Sequence, residues 1–252
     1  MSNDSKWLVR TPSVQRPVLR LFTLPYAGGS ASIYREWAKN LPQSIEVVSI
    51  QLPGRESRLF ETPYMTLEPM MERICEVIRP LLDVPYALFG HSMGALIAYE
   101  TARRLQAEGL PPAHLFASAQ SAPHRRKQAE ELRHLLPDDL FIDKLRSLEY
   151  TPEEVLRNRE LMELLLPMLR ADFSVCDTYR FTPGELLRCP VSAFGGNGDK
   201  GISQASLEAW GECTEGAFTL RMVEGDHFFI HPQKDLLTAE IAAKLLPEAA
   251  VR

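Results

Sequence analysis

The amino-acid sequence predicts an α/β fold with a mostly parallel central sheet and helices on both faces, and three observations carry that prediction. Short apolar runs alternate with amphipathic helical stretches along most of the chain, the pattern of strands joined by covering helices. Two of those runs lead straight into glycine-rich turns, Pro25-Tyr26-Ala27-Gly28-Gly29 and Gly90-His91-Ser92-Met93-Gly94. The 252 residues, 45% of them hydrophobic, suffice to bury one sizeable core, so a single domain over 1–252 is expected.

Taken in order, a polar N-terminal tail precedes a strand at 18–24, which runs into the first glycine-rich turn and then a helical stretch near 33–41. A buried strand is predicted at 45–50. Between 67 and 82, apolar residues fall at Leu67, Met70, Met71, Ile74, Val77, Ile78 and Leu81, the three-and-four spacing of an amphipathic helix that stops near Pro85. The pattern then repeats: strand 86–89, a sharp turn, a helix over 92–107 with Gly109 as its stop, and strand 114–119. Strands at 191–194 and 218–223 and a closing helix over 233–246 complete the alternation.

The segment from 124 to about 188 breaks that alternation, with several helical patterns and no strand, and so reads as a helical insertion between two strands of the sheet. Residues such as Leu136, Phe141, Leu145, Leu165, Met168, Leu169 and Phe173 supply more apolar surface than one crossover helix needs. Two uses are open at this point: ordinary packing on the sheet, or a lid over an active site.

Composition excludes several functions. The net charge is −5, from 28 basic and 33 acidic residues interspersed along the chain, so there is no basic field of the kind that holds a nucleic-acid backbone. No apolar run approaches the roughly 20 residues needed to span a bilayer. The first residues also lack the apolar core of a secretory signal, so no membrane association and a cytoplasmic location are expected. Cys75, Cys176, Cys189 and Cys213 show no C-x-x-C spacing, which predicts buried or incidental thiols and no metal.

The chemistry concentrates in Gly90-His91-Ser92-Met93-Gly94, because this G-x-S-x-G directly follows a predicted strand and directly precedes a helix, the setting of the nucleophile elbow of the α/β-hydrolase fold. The bare pattern is weak, and a structural serine in a glycine-rich turn is the bland alternative; the strand-turn-helix context is what makes Ser92 the candidate nucleophile. A serine hydroxyl at neutral pH needs an imidazole to take its proton and a carboxylate to fix the imidazole's tautomer. In this fold the chain order is serine, acid, histidine.

Of six histidines, only His227 and His231 lie beyond the last predicted strand. His227, in the turn after that strand, is the candidate base; His231, before Pro232, suits a surface or capping role. Asp199, in the loop Gly195-Gly196-Asn197-Gly198-Asp199 past strand 191–194, is the candidate acid, at the carboxyl edge where parallel-sheet enzymes place their sites. Asp226 adjoins His227, but neighbours on a turn usually point apart. Oxyanion donors are expected from the backbone amides of Met93, after the nucleophile, and Ala27, in the turn after the early strand. That turn lacks the G-x-x-x-x-G-K-[ST] pattern of a phosphate-binding loop.

Five motifs in order, Leu24-Pro25-Tyr26-Ala27-Gly28-Gly29, Gln51-Leu52-Pro53-Gly54-Arg55, the Gly90 to Gly94 elbow, Leu169-Arg170-Ala171-Asp172-Phe173 and Gly225-Asp226-His227-Phe228-Phe229, resemble those of the type II thioesterases. The resemblance runs from about residue 18 to 246. Those enzymes are stand-alone partners of polyketide synthases and nonribosomal peptide synthetases that hydrolyse acyl groups stalled on the phosphopantetheine of carrier proteins. The resemblance implies the same nucleophile Ser92, acid Asp199, base His227 and oxyanion amides of Ala27 and Met93, with no cofactor. It implies acyl or peptidyl carrier protein domains as partners, and a monomer is expected.

Two departures bear on the insertion and the acid loop: Tyr150-Thr151-Pro152 stands where the family often has Gly-Thr-Pro, and the acid loop continues into Lys200 instead of proline. A carrier is typically acidic around its pantetheine serine, which would favour a basic rim. His124-Arg125-Arg126-Lys127 is the candidate, with Arg125 and Arg126 as contacts and Arg55 and Arg58 as lesser ones; a solvated charged turn is the bland alternative. A general carboxylesterase or medium-chain acyl thioesterase, and a non-catalytic carrier-binding module of the same fold, are the competing functions.

Overall fold

A computed structural model of the chain describes residues 3–10, 16–126, 131–148 and 153–246. Among them the strands are β1 (Leu8–Arg10), β2 (Leu19–Leu24), β3 (Ile45–Ile50), β4 (Tyr86–His91), β5 (His114–Ser118), β6 (Val191–Gly196) and β7 (Phe218–Val223). The helices are α1 (Trp37–Asn40), α2 (Leu67–Ile78), α3 (Met93–Ala107), α4 (Asp138–Ser147), α5 (Glu153–Leu156), α6 (Arg159–Thr178), α7 (Gln204–Glu208) and α8 (Lys234–Leu245), with short 3-10 turns between them. This is the predicted α/β architecture.

The sheet runs β1-β3-β2-β4-β5-β6-β7, parallel throughout except for β1, which pairs antiparallel with β3. Every residue of β2, β3 and β4 is buried, as in central strands covered on both faces, and the buried Arg20 of β2 and Glu46 of β3 pair with each other. The period of two still sorts the side chains: Leu19 and Leu21 pack with Trp37 of α1 and Leu237 and Ile241 of α8, while Phe22 and Leu24 pack with α2 and α3 on the other face. The edge strand β1 falls in what the sequence presents as a polar tail. Only Leu8, Val9 and Arg10 form it, too few residues for a periodic signal.

Strand order reverses between β2 and β4: the chain leaves β2 for β3 on one side and returns to pair β4 on the other. A crevice opens at the carboxyl ends of the two strands flanking such a reversal. There the turn after β2 meets the turn after β4. Their approach depends on glycine, since a Cβ on Gly94 would lie 2.2 Å from the Leu24 carbonyl oxygen and one on Gly90 would lie 2.0 Å from the Gly94 carbonyl oxygen.

The insertion holds α4, α5 and α6 between β5 and β6, and it answers the question of packing with a division. Val175, near the end of α6, joins the core on the α2–α3 face, whereas Phe141, Leu145, Leu156, Met162, Leu166, Met168, Leu169 and Phe173 form a separate apolar cluster that packs against Ala27. The apolar cluster of α4, α5 and α6 therefore lies against the turn after β2, apart from the core on the sheet. Asn158 caps α6 by accepting from the Leu161 amide at 3.0 Å, and Pro167 lies inside that helix.

Candidate active site

Ser92 occupies the step between β4 and α3 with φ 54° and ψ −116°, a backbone conformation that costs a non-glycine residue free energy and is held by its surroundings. Its amide donates to the Ser118 carbonyl on β5 at 2.8 Å, and its carbonyl accepts from Ala95 at 2.9 Å in the first turn of α3. This geometry lifts the hydroxyl off the end of the sheet. It also places the Met93 amide at the start of α3, where a helix has no internal acceptor for it.

The acid and base loops are extensions of one ladder. β6 and β7 pair as far as Gly196 and Val223; the Asn197 amide then donates to Val223 and the Gly198 amide to Gly225, both at 2.8 Å. A Cβ on Gly196 would sit 2.5 Å from the Asp226 carbonyl oxygen, so the loops close on each other only because that residue is glycine. The result is a relay: Asp199 Oδ2 accepts from His227 Nδ1 at 2.6 Å, and His227 Nε2 faces Ser92 Oγ at 3.0 Å. With a carboxylate on Nδ1, that nitrogen carries the proton and Nε2 offers its lone pair to the serine hydroxyl. Asp199 Oδ1 accepts from the Gly201 amide at 2.9 Å, which orients the carboxylate.

Asp226, the competing carboxylate, is turned away: its Oδ1 accepts from the Phe228 amide at 2.7 Å. His231 does not cap α8; its Nε2 meets the Tyr26 hydroxyl at 2.9 Å, and the ring stacks on Phe228. Partial burial raises the Tyr26 hydroxyl and lowers the His231 imidazole, so both are neutral at pH 7. A cleft of about 150 Å³ lined by Asp199, Lys200, Asp226, His227 and Phe228 is bounded by Ser147 and Leu148 at the end of α4.

Three residues near the site have buried polar roles that the sequence did not reveal, Arg55 having been considered only as a lesser surface contact. His91 is fully buried; its Nε2 lies 2.8 Å from the His227 carbonyl oxygen and its Nδ1 2.8 Å from Ser118 Oγ. A carbonyl can only accept, so Nε2 carries the proton and Nδ1 accepts from the serine. Burial first, and the neighbouring His227 second, hold this imidazole well below its usual value, so it stays neutral.

The other two are Arg55 and Asp172, exposed by only 4% and 0%. Arg55 Nη1 and Nη2 donate to the two Asp172 oxygens at 2.8 and 2.7 Å, and Asp172 also accepts from the Gly28 amide at 2.8 Å. Truncating one partner of such a pair strands a buried charge at a cost of about 3–5 kcal/mol. Asp172 did carry a signal, because it stands three and four residues after Leu169 and Met168 on the apolar side of α6, where an unpaired carboxylate has no place.

The basic residues considered for partner contact fall into two groups. Arg55 and Arg58 are buried, so neither is a rim cation; Arg58 pairs with Glu61, donates to the Gln51 carbonyl and stacks over Trp7. Arg125 is exposed and Arg126 half-buried, and each has a partner within the chain. Arg125 pairs with Glu212 at 2.9 Å, as does His124 at 3.0 Å, while Arg126 donates to the Cys176 carbonyl at 3.2 Å and covers the Tyr179 ring. Lys127 and Tyr150-Thr151-Pro152 lie outside the described residues. Among the described residues no cluster of three or more His, Cys, Asp or Glu is disposed to hold a metal ion, and no helix is long and apolar enough to cross a membrane.

Comparison with known proteins shows the family and the fold. A model of the thioesterase domain family matches residues 19–245. The gramicidin S biosynthesis protein GrsT of Aneurinibacillus migulanus is 48% identical over 235 residues, covering 93% of this chain and 91% of that protein. Among solved structures, the type II thioesterase BorB from the borrelidin biosynthetic cluster superposes with a TM-score of 0.88 at 36% identity, covering 97% of this chain and 100% of that one. The RedJ thioesterase from the prodiginine pathway of Streptomyces coelicolor gives 0.83 at 39% identity, over 90% of this chain and 86% of that one.

Proposed function

This chain belongs to the thioesterase domain family, and from that premise we propose that it is an editing enzyme that hydrolyses stalled or aberrant acyl groups from the phosphopantetheine thiol of carrier proteins. The observation that carries the proposal is the hydrogen-bonded relay from Ser92 through His227 to Asp199, at the strand ends beneath an inserted helical layer. The similar proteins named above belong to gramicidin S, borrelidin and prodiginine biosynthesis, and a further similar structure is a type II thioesterase of the yersiniabactin NRPS/PKS pathway, which supports a synthase's acyl or peptidyl carrier domain as the partner.

In the proposed reaction Ser92 Oγ attacks the thioester carbonyl while His227 Nε2 takes its proton. The oxyanion forms against the amides of Met93 and Ala27. As the tetrahedral intermediate collapses, the carbon–sulfur bond breaks and the imidazolium returns its proton to the departing pantetheine thiol. A water then attacks the acyl-serine with His227 again as base, releasing the carboxylic acid and restoring Ser92. The sequence of steps needs no cofactor. α4, α5 and α6 serve as the lid that excludes bulk water and shapes the acyl site. A carrier docking at Arg125 would have to compete with Glu212 for that guanidinium.

The test compares hydrolysis of acetyl and longer acyl groups on a phosphopantetheinylated carrier protein, on a pantetheine analogue and on a matched oxygen ester. Ser92-dependent preference for the carrier-bound thioester is the expected result, with Ser92→Ala lowering turnover by about 10⁴- to 10⁶-fold. Fast oxygen-ester cleavage without a carrier advantage would make the protein a general esterase, and near-full activity in Ser92→Ala would remove the mechanism.

A further inference from the structure

The turn after β2 closes by a hydrogen bond from the Gly29 amide to the Tyr26 carbonyl at 2.9 Å, with Gly28 third in the turn at φ +81°. A peptide group is planar and trans, so the Tyr26 carbonyl and the Ala27 N–H belong to one rigid plane and point in opposite directions. Fixing that carbonyl therefore aims the Ala27 amide. The next peptide ends in Gly28, whose missing Cβ would let the plane flip between turn types unless something outside the turn held it.

Asp172 and Arg55 hold it from outside. Asp172 Oδ2 accepts from the Gly28 amide at 2.8 Å, and Arg55 Nη1 donates both to that same oxygen and to the Gly29 carbonyl, each at 2.8 Å. Arg55 Nε is itself tied to the Pro53 carbonyl at 3.2 Å. Two consecutive residues of the turn are thus gripped, one at its N–H and one at its carbonyl, by a bidentate pair shut off from water. The carboxylate comes from the middle of α6, where Leu169 also presses on the turn: a Cβ on Gly28 would lie 2.9 Å from Leu169 Cδ2.

We propose that Arg55 and Asp172 are positioning residues for the oxyanion site, locking the Tyr26 to Gly29 turn from the inserted helix so that the Ala27 amide stays directed at the carbonyl oxygen under attack. The proposal rests on the reading of Ser92 as the nucleophile of a thioester hydrolase. Neither side chain touches the relay, so proton transfer between Ser92, His227 and Asp199 does not depend on them. What they supply is preorganisation of a donor that acts only when charge develops on oxygen.

Arg55→Lys, which keeps the charge but loses the fork, Asp172→Asn, which keeps an acceptor for Gly28 but loses the charge, and the double variant provide the test. Hydrolysis of a small acyl-N-acetylcysteamine thioester is normalised to sites titrated by a fluorophosphonate, so misfolded molecules do not count. Each variant is expected to lose about 10- to 100-fold in kcat with KM within threefold. Inhibition by an alkyl trifluoromethyl ketone, whose serine adduct carries the oxyanion, should weaken by the same factor. The pH dependence of kcat/KM, set by the relay, should stay in place, and the double variant should fall no further than the worse single one. Turnover per titrated site within threefold of the parent, or a fall in kcat without weaker inhibition by the ketone, would overturn the positioning role. Hydrolysis that persists in Ser92→Ala would instead remove the reading beneath it.

Discussion

His91→Phe is the substitution from which the relay's support can be measured. The imidazole sits in an aromatic cage, with the rings of Tyr26, His227 and Phe229 at centroid distances of 5.8, 5.6 and 5.3 Å, so phenylalanine fills nearly the same space and no large cavity opens. What it removes is two hydrogen bonds, one to the His227 carbonyl and one from the Ser118 hydroxyl, in a site closed to water. At about 0.5–1.5 kcal/mol for each hydrogen bond lost, urea denaturation should show a loss of about 1–3 kcal/mol. The catalytic effect follows from the particular carbonyl released. It belongs to the proposed base, and a displacement near 1 Å in a reacting group costs on the order of 100-fold, so kcat on a small thioester should fall by about 10- to 100-fold. His91→Gln, able to donate to the same carbonyl, should recover most of it. If His91→Phe kept kcat within threefold and stability within about 0.5 kcal/mol, the two buried bonds would have no bearing on the base, and the reasoning would be refuted.

Acid should weaken the fold through the buried imidazoles. Burial pushes His114 down to about 4, and His91 is likewise depressed, so below about 6.5 the unfolded chain binds protons that the folded chain refuses, and stability falls with pH. The slope is about 1.4 kcal/mol per pH unit for each group, extending for His114 down to pH about 4; His114→Gln should flatten urea-derived stability between pH 6 and 4.5 by that amount, and unchanged slopes would contradict the assignment. Asp199→Asn should reduce kcat by about 10⁴-fold through loss of the imidazole's tautomer, while Asp226→Asn, whose oxygen can still accept from Phe228, should stay within about threefold; a reversed pattern in steady-state kinetics would exchange the two carboxylates. Gly94→Ala should cost about 3 kcal/mol or more, because the added Cβ meets the Leu24 carbonyl at 2.2 Å and backbone cannot yield as a side chain does; ordinary soluble yield and fluorophosphonate labelling would show that the elbow has room.

Several parts of this protein were legible in the chain alone because their signals are local. Strand-turn-helix succession around Ser92, the apolar runs of β2, β3 and β4, and the three-and-four spacing of α2 each lie within a window of a few turns, and the helix and strand periods read them directly. The order serine, aspartate, histidine adds a constraint of fold topology. Position in the loops after β6 and β7, not order, favoured Asp199 and His227 over Asp226 and His231, and the structure joins those same side chains in one run of hydrogen bonds.

Tertiary structure alone decided what buried polarity does. Arg55 and Asp172 stand 117 residues apart, and nothing in either neighbourhood says that a surface-looking arginine is to be sealed beneath a helix from the insertion. The pairing exists because the strand-order reversal brings the turn after β2 to the crevice, and the separate apolar cluster of the insertion folds α6 across it. Charge patterning around Arg125 likewise could not show its surface pairing with Glu212, which arrives from 87 residues away. Hydrophobic periodicity records which face of an element is buried. Which charge meets which inside that burial depends on contacts that form only once the whole chain has packed, and a buried ion must find its partner there or unfold the site.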